Sequence, residues 1–149
     1  MTNNQIDLKL TAVLFRAMQH IERNIASDIE SNNLNTTEFG TLEMLYHKGP
    51  RAIQMISKRL LMANSSMTYT IDKLEKKGFV KRTKDQKDRR NTEIALTNLG
   101  REYIEIILPK HAETLRELYK ILSEDEKEEL VGLMKKLGYY AEKLKGENL

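Results

Sequence analysis

The segment Lys73–Arg90, KLEKKGFVKRTKDQKDRR, leaves few choices of fold. It holds nine Lys or Arg against three acids, and the β-prone run TEIALT follows within two residues. A helix tail ends at Gly78, a short apolar strand follows, and a basic, Gly-free loop leads into a second strand. That order describes a helix feeding a β-hairpin with a positive tip. Such an object suits gripping a phosphate backbone and pushing a cation into a groove. Charge alone favours a solvated basic surface. The surroundings of the segment overturn that preference.

The distribution of charge is more informative than its total of +3. Residues 1–50 carry four basic and six acidic side chains, residues 51–90 twelve and four, and residues 91–149 nine and twelve. A basic middle between acidic flanks implies that the middle meets a polyanion while the ends do something else. The 149 residues suffice for one domain, or one domain with helical extensions. Scarce Pro and abundant Leu, Ile, Lys and Glu favour a mainly helical chain. Cysteine is absent, which excludes disulfides, a thiolate nucleophile, Cys-ligated zinc and a thiol redox switch. No apolar run is long enough for a membrane span, and MTNNQIDLKL lacks a signal-peptide pattern. A cytoplasmic protein is expected, with no membrane partner.

Leu10, Leu14, Met18, Ile21, Ile25 and Ile29 form one stripe of a helix from about Ile6 to Glu30. Asn35 and Glu38 make a capping box, with Leu34 and Phe39 as its hydrophobic staple; Gly49-Pro50 stops that helix. A short helix from Ile53 to about Leu60 and a second running to Lys77 flank the turn LLMANSS, with Met67, Ile71 and Leu74 inward. Phe79–Thr83 and Thr92–Leu96 read as strands, joined by a projecting tip. Helix resumes from Thr97, with Pro109 expected to kink it. Ser123 and Glu126 form another capping box before a last amphipathic helix.

Two short helices joined by a tight turn and followed by a basic hairpin make a winged helix-turn-helix. The fold expected is therefore mainly α with a small β-hairpin wing. Residues 34–97 would form the DNA-binding lobe, and residues 1–33 and 98–149 a helical dimerisation region. The apolar stripes at both ends exceed what so small a lobe covers, which points to a homodimer.

The segment DRRNTEIALTNLG resembles the wing signature of the MarR family of bacterial transcriptional regulators, carried here by Asp88, Arg90, Leu96, Thr97 and Gly100. LNTTEFGTLEMLYHKGP and MTYTIDKLEKKGFVKR are similar to the helix opening that family's DNA-binding lobe and to its recognition helix. The resemblance spans essentially the whole chain. It implies a homodimer with two winged lobes on pseudo-palindromic operator DNA, usually a repressor. Tyr69 stands where many relatives carry Arg, and the N-terminal cysteine of the redox-sensing branch is missing. Overall similarity is greatest to the MhqR-like branch, which responds to quinones and related aromatic electrophiles.

On the recognition helix, Ser65, Ser66, Thr68, Tyr69, Asp72 and Lys73 are left outward, and of these Ser65, Ser66, Thr68, Tyr69 and Lys73 are the candidates for contact with DNA. Capping is an equal alternative for Ser65 or Asn64. In the wing, Arg90 is the minor-groove candidate, with Asp88 paired to it and Lys84, Lys87 and Arg89 on phosphates. Arg51 and Lys58 add backbone contacts at the edge. Lys76, Lys77, Lys81 and Arg82 lie farther round, and several of them are expected to be solvated.

The resemblance also implies an aromatic effector in a crevice between the dimer helices and the DNA lobe, for which Met18, Phe39, Met44, Tyr46, His47 and Tyr103 are candidate lining. Taken singly, each is better explained as core. His20, His47 and His111 are scattered, so no metal site is expected. No catalytic or nucleotide-binding motif occurs, so neither enzyme activity nor a cofactor is expected. The competing class is a helical interaction module that uses its basic face on an acidic protein partner.

Overall fold

The computed structural model describes residues 2–84, 87–88 and 90–147. In chain order the elements are α1 (Asn3–Glu30), α2 (Thr36–Lys48), β1 (Arg51–Ala52), α3 (Ile53–Arg59), α4 (Asn64–Lys76), β2 (Val80–Lys84), β3 (Thr92–Leu96), α5 (Asn98–Tyr119) and α6 (Glu124–Glu147). The described residues fall into two compact units that divide after Leu115.

Helix α2 begins as its sequence demands. Asn35 Oδ1 accepts from Glu38 N–H at 2.8 Å, and Glu38 Oε1 accepts from Asn35 N–H at 3.2 Å. The staple residues Leu34 and Phe39 are both buried. Helix α1 starts earlier than Ile6, because Gln5 reaches back to the Thr2 N–H at 2.9 Å and extends the first turn. Asn64 and Ser65 do not cap α4. Its N-cap is Ala63, in extended backbone with no side-chain bond, so both residues lie inside the first turn.

Helix α4 ends in a Schellman motif. Phe79 N–H bonds Leu74 O and Gly78 N–H bonds Glu75 O, each at 3.0 Å. Gly78 adopts φ 80°, a conformation costing a residue with a Cβ about 1 kcal/mol or more. The reversal sends the chain into β2 one residue later than expected, since Phe79 is consumed by the cap.

The sheet has the order β1-β3-β2, antiparallel throughout. Val80 pairs with Leu96 and Lys84 with Thr92. Strand β1 is an addition to the expected hairpin; Arg51 and Ala52 pair with Ile94 and Glu93 and extend it to three strands. Leu42, Leu45, Ile56, Met67, Ile71, Leu74, Ile94 and Ile104 form a fully buried core under this sheet. Each such side chain contributes about 1.5–3 kcal/mol by leaving water.

Close approach fixes where α5 starts. Thr97 Oγ1 donates to Gly78 O and accepts from Gly100 N–H at 3.0 Å, and Thr97 N–H bonds Phe79 O at 3.0 Å. A Cβ on Gly100 would stand 2.0 Å from Phe79 O. The Leu-Thr-x-x-Gly pattern is thus the seat of α5 on the exit of the Schellman turn. Tyr103 continues that seat, stacking on Phe79 with centroids 4.5 Å apart and bonding Asn32 O at the end of α1. α5 passes through Pro109 without ending.

Of the α1 stripe only Ile29 is buried, while Leu10 and Met18 remain exposed alongside Ile6, Val13 and Phe15. In the second unit the Ser123–Glu126 capping box forms in both directions. Leu130, Leu133, Met134, Leu137, Tyr140 and Leu144 of α6 are exposed. None of the helices among the described residues is long and apolar enough to cross a membrane.

Candidate nucleic-acid interface

The outward face of α4 carries the residues expected there. Ser65, Ser66, Thr68 and Tyr69 are exposed, while Met67, Thr70, Ile71 and Leu74 are buried. Thr68 Oγ1 donates to Asn64 O at 2.9 Å, so its proton is used inside the helix and its methyl and lone pairs remain available. Tyr69 is 66% exposed, with Lys73 Nζ 5.7 Å from its ring centroid.

At the wing, Arg90 Nε donates to Asp88 Oδ1 at 3.1 Å and Nη2 to Oδ2 at 3.4 Å. The Arg90 backbone N–H bonds Asp88 Oδ1 at 3.1 Å, so Asp88 both forms the turn and pairs with the guanidinium. The Arg90 side chain is still 90% exposed. Its side-chain hydrogen bond, followed by its backbone one, holds the Asp88 carboxyl below the usual carboxylate range. Lys84 ends β2 and is exposed, as are Lys87 and Lys58. Arg51 is half-buried in β1 and donates to Pro50 O at 2.7 Å. Arg89 lies outside the described residues, as does part of the expected projecting tip.

Folding withdraws other cations from this face. Lys77 is exposed but tied down; it donates to Glu38 Oε2 at 2.8 Å and to Asn33 O at 3.0 Å. Lys73 also leans inward, 3.9 Å from Glu38 Oε1. Glu38, the capping-box acid, is therefore a buried carboxylate serving the start of α2 and the end of α4 together. Arg82, also exposed, is held by two acids. Its Nη2 donates to Asp72 Oδ1 at 2.8 Å and its Nη1 to Glu75 Oε1. The bond to Asp72, ahead of the attraction of Glu75, holds Arg82 above its ordinary pKa. Lys76 and Lys81 make no ion pair with a described residue and are exposed.

The six candidate effector residues do not share one environment. Phe39 is buried, and Met44, Tyr46 and Tyr103 pack against the core. Met18 is 44% exposed on α1 and His47 is exposed at the end of α2. Phe39 lies against His111, whose Nδ1 is 3.1 Å from Asp28 Oδ2; Thr114 donates to the other Asp28 oxygen at 3.0 Å. This half-buried Asp28–His111–Thr114 cluster ties α1 to α5. It joins residues more than eighty positions apart, and no local spacing announces it.

Helix, turn, reading helix and charged hairpin in this order define a winged helix-turn-helix DNA-binding protein of the transcriptional-regulator class. Residues 34–92 match the MarR family model. The HTH-type transcriptional regulator MhqR of Bacillus subtilis is 40% identical over 134 residues, 90% of this chain and 92% of that one. YkoM of the same organism, another HTH-type transcriptional regulator, is 39% identical over 92% and 89% respectively. Among solved structures, the transcriptional regulator BldR of Sulfolobus solfataricus superimposes with a TM-score of 0.80 at 26% identity, covering 93% of this chain and 99% of that one. A mutant of Escherichia coli MarR, solved in complex with operator DNA, shares the fold with a TM-score of 0.79 at 23% identity, over 92% and 98%. The chain belongs to the MarR family of DNA-binding transcriptional regulators.

Proposed function

We propose that the chain is a cytoplasmic homodimeric repressor that binds a two-fold operator with half-sites about 10 base pairs apart, one helical turn of DNA. The observation that carries this reading is the pairing of an exposed polar face on α4 with an extended, Asp88-anchored Arg90 on the wing. Ser65, Ser66, Thr68 and Tyr69 face the major groove, Lys73 lies at its edge beside Glu38, and Arg90 enters the minor groove. Lys84, Lys87, Arg89, Arg51 and Lys58 meet phosphates. No arginine lies on α4, so much of the specificity comes from DNA shape. Residues 34–97 form the DNA-binding lobe. The exposed apolar residues of α1 and α6 support residues 1–33 and 98–149 as the dimerisation region, where a second copy removes them from water.

An aromatic, phenolic or quinone-like effector releases the operator by favouring a lobe separation that DNA does not accept, a shift of population rather than a blocked site. The similarity to MhqR supports this class of effector. Footprinting on the DNA flanking the protein's own gene, with and without quinones, phenols and aromatic acids, tests both parts. A protected palindrome lost on adding one of them is expected. Protection that ignores sequence refutes a specific repressor, and protection unchanged by every compound refutes the effector class. Arg90→Ala is expected to abolish operator protection with an unchanged melting temperature.

A further inference from the structure

Asp72 and Glu75 stand three residues apart on one face of α4, and their side chains are 51% and 42% exposed. A reading helix that presents two carboxylates toward DNA repels the phosphates it must approach. Arg82 of β2 answers both with one guanidinium, reaching Asp72 Oδ1 with Nη2 and Glu75 Oε1 with Nη1. The planar fork of arginine suits this double engagement, which a lysine cannot reproduce. Lys76, Lys81 and Lys84, by contrast, make no ion pair with a described residue. The neutralisation is selective.

We propose that Arg82 is a positioning residue for DNA binding, which touches no phosphate itself and masks Asp72 and Glu75 from the DNA backbone. The role rests on the DNA-binding reading above. Two unmasked carboxylates within one Debye length of several phosphates, about 8 Å at physiological salt, weaken binding by about tenfold.

The probe is the duplex that the wild-type protein selects from a random-sequence library, and affinity is read by fluorescence anisotropy. Arg82→Gln should bind about tenfold more weakly near 0.15 M salt, with unchanged far-UV circular dichroism. Arg82→Lys, which keeps the charge but lacks the fork that engages both carboxylates, should fall between Arg82→Gln and wild type. The triple variant Asp72→Asn, Glu75→Gln, Arg82→Gln should return to within about threefold, because nothing is left to mask. It also preserves the test should Arg82→Gln fail to fold. A triple variant as weak as Arg82→Gln means that Arg82 contacts DNA directly or serves only the fold, and overturns the proposal. Equal affinity of Arg82→Gln and wild type does the same. In both cases wild-type DNA binding still stands. A wild-type protein that selects no duplex refutes the DNA-binding reading, and the masking role with it.

Discussion

Replacing Glu38 by glutamine tests the claim that a local capping residue holds the lobe together over long range. The Glu38 side chain is 3% exposed, with Lys77 Nζ at 2.8 Å and Lys73 Nζ at 3.9 Å. At 2.8 Å two unit charges attract by about 6 kcal/mol at an effective dielectric of 20 and about 1.5 kcal/mol in bulk water. The lost hydration of a buried carboxylate offsets most of the larger figure. A hydrogen bond to a charged group is worth about 1.5–3 kcal/mol net and a neutral one about 0.5–1.5. Glutamine keeps the length of the side chain and an oxygen for the Asn35 N–H, but its amide nitrogen then faces Lys77 Nζ and cannot accept, so the charged hydrogen bond to Lys77 is lost. Glu38→Gln should therefore destabilise by about 1.5 kcal/mol. Glu38→Ala also removes the cap partner and should cost about 3 kcal/mol. Urea unfolding of both at one protein concentration measures this, since the stability of an oligomer depends on concentration. A double-mutant cycle with Lys77→Met should give a coupling of about 1 kcal/mol. A Glu38→Gln variant as stable as wild type, or a coupling near zero, would refute the long-range pair and leave the cap alone to explain the burial.

Gly100→Ala should destabilise by about 2 kcal/mol or more in the same unfolding assay, because its Cβ meets the Phe79 carbonyl and backbone must move; a neutral result would mean that α5 is not seated there. Leu61 adopts φ 54° while 93% exposed, so Leu61→Asn should stabilise by about 0.5–1 kcal/mol by relieving left-handed strain, and a loss of stability would show that the leucine side chain is used. The lowered Asp88 pKa means the Arg90 pair contributes above the ordinary carboxylate range and is lost only as pH falls through the lowered value. A carboxyl carbon titration by NMR should accordingly give Asp88 a midpoint below the ordinary aspartate value, and a midpoint at or above that value would exclude the pair in solution. Lys77→Gln should lower stability and leave the salt dependence of operator binding unchanged, whereas Lys84→Gln should do the reverse, reducing the slope by about 0.9 per phosphate contact. The opposite pattern would exchange their roles.

What was legible in the sequence is what short range determines. The Asn35–Glu38 and Ser123–Glu126 boxes, the Asp88–Arg90 pair and the Gly78 reversal each join residues within a few positions. Spacing alone reveals them, because donor and acceptor are carried by the same turn. The inward set Met67, Ile71 and Leu74 was equally clear, since a helix repeats its buried face every three or four residues. Strand β1 was not legible. Two residues have no periodicity, and Arg51 becomes a strand only because Ile94, far along the chain, offers an open edge. The Asp28–His111–Thr114 cluster is hidden for the same reason.

The basic segment shows where local reading stops and why the count of charges misleads. Nine cations in one run look alike, and each is equally available to a phosphate if the chain is taken as a line. Folding separates them by what each meets across the lobe. Lys77 and, more loosely, Lys73 are drawn back onto Glu38, thirty-nine and thirty-five positions upstream. Arg82 turns onto the helix it has just left. Arg90 is paired too, but its partner sits two residues away on the same turn, so pairing fixes the side chain without withdrawing it. A cation bound to a distant acid becomes part of the fold, whereas one bound to a neighbour stays presented to solvent. That difference in reach divides a uniform run of charge into a scaffold and a probe.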